Sequence, residues 1–91
     1  MDNPAAVPVP LVELLTRPGC HLCADARQVV DHVAGQLGLP WQEVDISHNA
    51  ALTARYGEEI PVVMVDGVPR DFWQIDPARL HGILCRVQKA Q

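Results

Sequence analysis

The sequence predicts an α/β domain built on a mixed four-stranded sheet, in the order strand, helix, strand, short helix, strand, strand, helix. Three observations lead there. A short apolar run, Leu11–Thr16, gives way at once to an amphipathic helical pattern and then to a second strand pattern, Trp41–Ile46. That is the strand–helix–strand unit that makes parallel neighbours. A β-branched run, Ile60–Val65, ends on Asp66-Gly67, a two-residue hairpin signal, so Val68–Trp73 is expected to return antiparallel beside it. A last helical pattern, opened by Asp76-Pro77, closes the chain.

Each element has its own justification. Asn3 to Pro10 holds three prolines among small residues. Such a stretch enters neither a ladder nor a helix, so residues 1–10 are expected to form an extended, partly mobile lead-in to a single domain over 11–91. Leu11–Thr16 is nearly continuous in apolar character and ends at Pro18-Gly19, as suits a central strand covered on both faces. From Cys23, the residues Ala26, Val29, Val30, Val33 and Leu37 recur at helical spacing until Gly38 and Pro40 stop them. Ser47 or Asn49 is expected to cap a short helix through Leu52 and Tyr56, closed by Gly57. The third strand opens on Pro61, and Pro69 puts the return strand at a sheet edge, where a missing amide does no harm. Leu80, Ile83, Leu84 and Val87 carry the final helix, which Gly82 weakens by about 1 kcal/mol relative to alanine.

The chain has 91 residues, 48% apolar and 20% charged, with eleven Asp and Glu against seven Lys and Arg. It therefore reads as globular and mildly acidic, a balance that predicts neither nucleic acid nor an anionic membrane as partner. No run approaches the roughly 18 apolar residues of a spanning helix, and MDNPAAVPVP lacks the basic start and apolar core of a secretory signal. A cytoplasmic monomer is expected. Three cysteines are too few for a disulfide scaffold, and in a reducing compartment such thiols are catalytic, metal-bound or simply buried.

Two of the three stand in RPGCHLCADA, Arg17 to Ala26, where the first strand turns into the first helix. The free amides and dipole at a helix start favour an anion, and a thiolate is an anion. Cys20 is expected at the cap with its sulfur toward solvent, the setting of a nucleophilic thiol. Cys23, three residues on, would come within bonding reach of Cys20 while aligning with Ala26 and Val30 on the buried face. An exposed attacker beside a shielded resolver is what thiol–disulfide exchange requires, because a mixed disulfide at Cys20 must be released by an internal thiol.

The chain resembles the small glutaredoxin-like proteins of the thioredoxin-fold superfamily that carry a PGCHLC type of active site. The match rests on the C-x-x-C of RPGCHLC after a strand, on the Ile60-Pro61-Val62 step, and on the Asp66-Gly67 hairpin leading to a final helix, and it runs from about Leu11 to Val87. The resemblance implies a thioredoxin-like sheet with flanking helices. It also implies a cis Pro61 lying against the cysteines, with the Ile60 backbone pairing with an extended peptide or with glutathione. Arg17 stands where glutaredoxins often carry a lysine facing the glutathione carboxylate. A disulfide-containing protein or a glutathione mixed disulfide is the implied substrate, with glutathione or a reductase as electron donor and no bound cofactor. The chain departs from the family at Asp71-Phe72-Trp73-Gln74-Ile75-Asp76, where a Gly-Gly step is usual, and at Ile60, where a threonine is often found. Disulfide reduction is thus better supported than the identity of the reductant.

Several side chains carry two readings. Arg17 could hold a carboxylate bidentately or be a solvated loop arginine. His21 could stabilise the Cys20 thiolate when protonated, or face solvent in the first helical turn. Glu13, in an apolar strand, could be a half-buried proton acceptor for Cys23 or reach water at a gap. Cys85 falls off the Leu80, Leu84, Val87 stripe and reads as a partly exposed bystander. Zinc is disfavoured because no second C-x-x-C or paired histidine completes a tetrahedron around Cys20 and Cys23. The alternatives to a dithiol enzyme are a glutathione-dependent iron–sulfur carrier and a noncatalytic thioredoxin-fold binding module.

Overall fold

The computed structural model describes residues 9–89 and places the elements in the predicted order. They are β1 (Val12–Thr16), α1 (His21–Gln36), β2 (Trp41–Asp45), a 3-10 turn (Ile46–His48), α2 (Ala50–Tyr56), β3 (Val62–Val65), β4 (Val68–Phe72) and α3 (Pro77–Lys89). The sheet runs β2-β1-β3-β4. β1 is parallel to β2 and antiparallel to β3, and β3 is antiparallel to β4.

The alternation of a strand sorts side chains to two faces, and the core divides accordingly. Val12, Leu14, Val63 and Val65 meet Ala26, Val30, Val33 and Ala34 of α1 and Leu80 and Leu84 of α3 on one face. Leu15, Val62 and Met64 meet Ile46 and Tyr56 on the other, where α2 lies. β1 is buried along nearly its whole length because both faces are covered, which is why it reads as an apolar run. Each fully buried Val or Leu contributes roughly 1.5–3 kcal/mol through the area taken from water.

Turns and caps hold the ends. Asp66 and Gly67 both take positive φ, 52° and 80°, as the hairpin connection demands. The Asp66 carboxylate accepts from the Leu11 amide at 2.8 Å, while the Asp66 amide donates to the Leu11 carbonyl at 2.9 Å, so the hairpin tip also fixes where β1 begins. Asp76 caps α3 by accepting from the Arg79 amide at 2.8 Å, with Pro77 at the first helical position. Asp71 is buried in β4, and Arg79 compensates its charge through two hydrogen bonds of 3.0 and 3.1 Å.

Four expectations are refined. Ile46 belongs to the 3-10 turn rather than to β2, and its side chain is buried beside α2. Of the two candidate caps of α2, Asn49 is used, accepting from the Leu52 amide at 2.9 Å, while Ser47 sits in the turn capped by Asp45. Gly57 keeps right-handed φ, −55°, so its value there is small size, since a Cβ would come 2.5 Å from the Thr53 carbonyl oxygen. β4 stops at Phe72 because Trp73 takes φ 64°. Of the expected lead-in, residues 1–8 lie outside the described residues, and Pro10 is already buried. No helix among the described residues is long and apolar enough to cross a membrane.

Candidate active site

The site forms where β1 ends. Pro18 and Gly19 reverse the chain, with Gly19 at φ 78°, the left-handed position that a proline-led turn reserves for glycine. Cys20 is the N-cap of α1, and its sulfur accepts a hydrogen bond from the Cys23 amide at 3.1 Å. A thiol here does the work that Ser or Asp does at other helix starts, and its half-buried sulfur is a free thiol.

Cys23 lies one turn in, with only 1% of its surface exposed. Burial is the main reason its thiol is pushed up to about 11, and the hydrogen bond and charge of Cys20 push the same way. A hydrogen bond from the Arg17 backbone and the Arg27 charge act in the opposite sense. The two cysteines thus occupy the contrasted environments that the spacing predicts.

Ile60 packs in the same apolar cluster as Cys23 and, at its edge, Cys20. The Ile60–Pro61 peptide bond is cis, and Pro61 is fully buried. The Trp73 amide donates to the Pro61 carbonyl at 2.9 Å and to the Glu59 carbonyl at 3.3 Å, leaving the Ile60 main-chain groups out of this tie. The Trp73 indole Nε1 donates to the Glu58 carbonyl at 3.0 Å. A tryptophan at φ 64° holds a backbone strain of about 1–3 kcal/mol, and these bonds hold it there. Trp73 is 53% exposed and Phe72 47%, and their rings stand edge-on with centroids 5.2 Å apart.

Arg17 and His21 are exposed on either side of Cys20. Glu13 is half-buried and accepts from Gln42 Nε2 at 3.0 Å, a partner on β2 rather than a cysteine. The cation that reaches Cys23 is Arg27, which sequence reasoning passed over although it stands one helical turn beyond Cys23. Arg27 binds Glu43 of β2 in a fork, Nε to Oε1 and Nη2 to Oε2, both 2.7 Å, and the Thr16 hydroxyl donates to the same Oε2 at 2.7 Å. Three elements, β1, α1 and β2, are joined by one carboxylate beside the cysteines.

Glu43 is accordingly held down to about 2, first by the Arg27 hydrogen bonds, with Thr16 adding to them against some desolvation. A carboxyl lowered in the folded state stabilises it above the ordinary value of 4.5 and loses that contribution as pH falls toward 2. Solvent screening of this exposed pair leaves about 1 kcal/mol. Urea unfolding of Glu43→Gln is therefore expected to show a deficit of about that size at pH 6 that shrinks toward zero near pH 2.

Cys85 is half-buried on α3, its sulfur 3.5 Å from His81 Nδ1, apart from the Cys20–Cys23 pair. A cavity of about 240 Å³ lined by Val9, Leu11 and Trp41 lies at the far end of β1 and holds none of these groups. Among the described residues, no group of three or more His, Cys, Asp or Glu side chains is placed to hold a metal ion.

A glutaredoxin-like domain profile (DUF836) matches residues 11–84. The chain belongs to this family. An uncharacterized protein of Mycobacterium tuberculosis is 33% identical over 82 residues, covering 85% of this chain and 84% of the relative. A structural-genomics target protein from X. campestris, solved by X-ray, superposes with a TM-score of 0.69 at 30% identity, covering 82% of this chain and 96% of that one. Fasciola hepatica thioredoxin superposes with a TM-score of 0.64 at 19% identity, over 86% of this chain and 80% of its own. The fold of this glutaredoxin-like protein is thioredoxin-like, a mixed four-stranded sheet with three helices, and it carries the Cys20-x-x-Cys23 pair at its first helix cap.

Proposed function

We propose that this glutaredoxin-like protein is a small thiol–disulfide oxidoreductase with Cys20 as nucleophile and Cys23 as resolving thiol. The observation that carries the reading is the unequal pair: a half-exposed sulfur accepting an amide hydrogen bond at the helix cap, and a buried partner three residues on whose proton is held to about 11.

The chemistry follows from that inequality. The Cys20 thiolate attacks one sulfur of a substrate disulfide, forming a mixed disulfide and expelling the other sulfur as a thiolate that takes a proton. Cys23 then loses its proton and attacks the Cys20 sulfur, which forms the Cys20–Cys23 disulfide and frees the second substrate thiol. The substrate gains two electrons and the protein loses two. Two equivalents of a small thiol such as glutathione, or a dithiol reductase, return the pair to its starting state. Two of the effects that raise Cys23 come from Cys20 itself. Once Cys20 is capped by substrate its thiolate charge is gone, so the resolving thiol ionises more readily at the step that needs it.

The substrate is a disulfide-containing protein or a glutathione mixed disulfide, and the compartment is a reducing cytoplasm, where a monomer can keep Cys85 as a thiol. His21 and Arg17 flank the approach to Cys20, and the Ile60 backbone meets the extended substrate beside Pro61. The buried second thiol favours dithiol exchange over a cluster-carrier role.

A redox titration of the protein in glutathione buffers, read by mass spectrometry after alkylation, tests the reading. A two-electron transition with Cys20 and Cys23 protected from alkylation together is expected. A couple that never forms this disulfide refutes the dithiol mechanism.

A further inference from the structure

We propose that Trp73 determines specificity at the dithiol site, selecting polypeptide disulfides flanked by apolar residues over glutathione mixed disulfides. The inference rests on the thiol–disulfide reading above and names its substrate class.

The starting point is a residue in the wrong place for its type. Position 73 requires φ 64°, a conformation that glycine adopts freely, asparagine tolerates and a bulky aromatic side chain resists. Burial does not offset this strain, since the residue is about half exposed. It is nonetheless fixed at both ends, the amide on the Pro61 and Glu59 carbonyls and Nε1 on the Glu58 carbonyl. A strained, pinned and exposed ring points to a role outside the fold.

Its location says which role. Trp73 is one hydrogen bond from Pro61, and the adjoining Ile60 shares an apolar cluster with Cys23 that has Cys20 at its edge. Phe72 stands edge-on beside it, and Leu22, two residues past Cys20, is 42% exposed. Exposed rings next to a nucleophile form a platform for a partner's apolar side chain.

Charge beside Ile60 adds to this preference, against the opposite pull of Arg17. Glu58 and Glu59 immediately precede Ile60, and the chain carries a net charge of −4. Glutathione is a small anion at neutral pH. Glutathione offers no apolar side chain to the exposed indole, and the two carboxylates oppose its charge. An extended polypeptide with an apolar residue next to its cysteine and a basic residue facing Glu58 gains where glutathione loses.

Single-turnover oxidation of the reduced protein tests this with two substrates. One is a disulfide-linked peptide bearing leucine and lysine beside the cystine, the other a mixed disulfide of glutathione with 2-mercaptoethanol. Trp73→Gly and Trp73→Asn both suit the left-handed backbone, so each keeps the turn, and Trp73→Phe keeps a ring. Gly and Asn are expected to lower the peptide-to-glutathione rate ratio about tenfold or more, with the peptide concentration for half-maximal rate rising and the limiting rate unchanged. Phe should retain most of the ratio. An active wild-type protein whose ratio is the same in the Gly and Asn variants overturns the assignment of Trp73 alone. A wild-type protein oxidised by neither substrate overturns the dithiol reading and this inference with it.

Discussion

Cys20→Ser is expected to lower the rate of disulfide reduction by roughly three orders of magnitude or more, because a serine hydroxyl at the same cap is not ionised and makes a poor nucleophile. The loss should come without unfolding. Cys20 is the N-cap of α1, accepting from the Cys23 amide, and serine is among the preferred residues for that bond. Activity and stability are therefore separable at this residue. Cys23→Ser should behave differently, since the first attack needs only Cys20. Substrate is consumed once, and the mixed disulfide then persists as a stable adduct with the mass of the protein plus the substrate half. Cys85→Ser, altering a thiol that neighbours His81 on α3, should stay within about twofold of the parent. Stopped-flow consumption of a chromogenic disulfide, with intact-mass spectrometry of the quenched protein, reads all three. A Cys20→Ser protein working at the parent rate sinks the mechanism.

The unequal pair was legible because everything that makes it unequal is local. Pro18-Gly19 turns the chain, the helix pattern starts at once, and a spacing of three sets one cysteine at the cap and the next on the stripe of Ala26 and Val30. The hairpin was legible for the same reason, since Asp66-Gly67 is a two-residue code for positive φ. What escaped the sequence reading is non-local. The Thr16–Glu43–Arg27 cluster joins residues 27 and 16 positions apart, and nothing in WQEVD distinguishes Glu43 from a solvated edge-strand carboxylate. Glu13 drew attention because an acid amid apolar neighbours is conspicuous, yet β2 supplies it with Gln42. The bulk of Trp73 in place of the usual Gly-Gly step was visible in the sequence, but its left-handed turn escaped in another way. Its β-propensity argues for continuing the strand from Phe72, while the bonds that turn it left-handed come from Glu58, Glu59 and Pro61 on the far side of the hairpin. Tertiary contacts override local preference where the chain passes the cysteines.

Alkaline conditions should destabilise the reduced protein through one buried thiol. Cys23 ionises at an ordinary value of 9.0 when exposed and at about 11 in the fold, chiefly because burial penalises the thiolate. The folded state therefore holds this proton where the unfolded chain has lost it, and unfolding between pH 9 and 11 releases it. The stabilisation is fully present below pH 9, declines as pH rises and is gone above 11. Two units at 1.36 kcal/mol each set its size at roughly 2–3 kcal/mol. Urea unfolding under a phosphine reductant, from pH 8 to 11.5, should show this decline in the parent and not in Cys23→Ser, whose hydroxyl does not titrate there. The Cys20→Ser background sharpens the test. Removing the Cys20 sulfur removes both its hydrogen bond and its charge, two of the effects that raise Cys23, so the decline, which still begins near 9.0 where the unfolded thiol ionises, should end at lower pH and be smaller. That displacement measures, in the resting protein, the same release of Cys23 that substrate capture at Cys20 brings about during turnover. An unmoved midpoint would mean that burial alone sets the resolving thiol and that capture at Cys20 does not prime it.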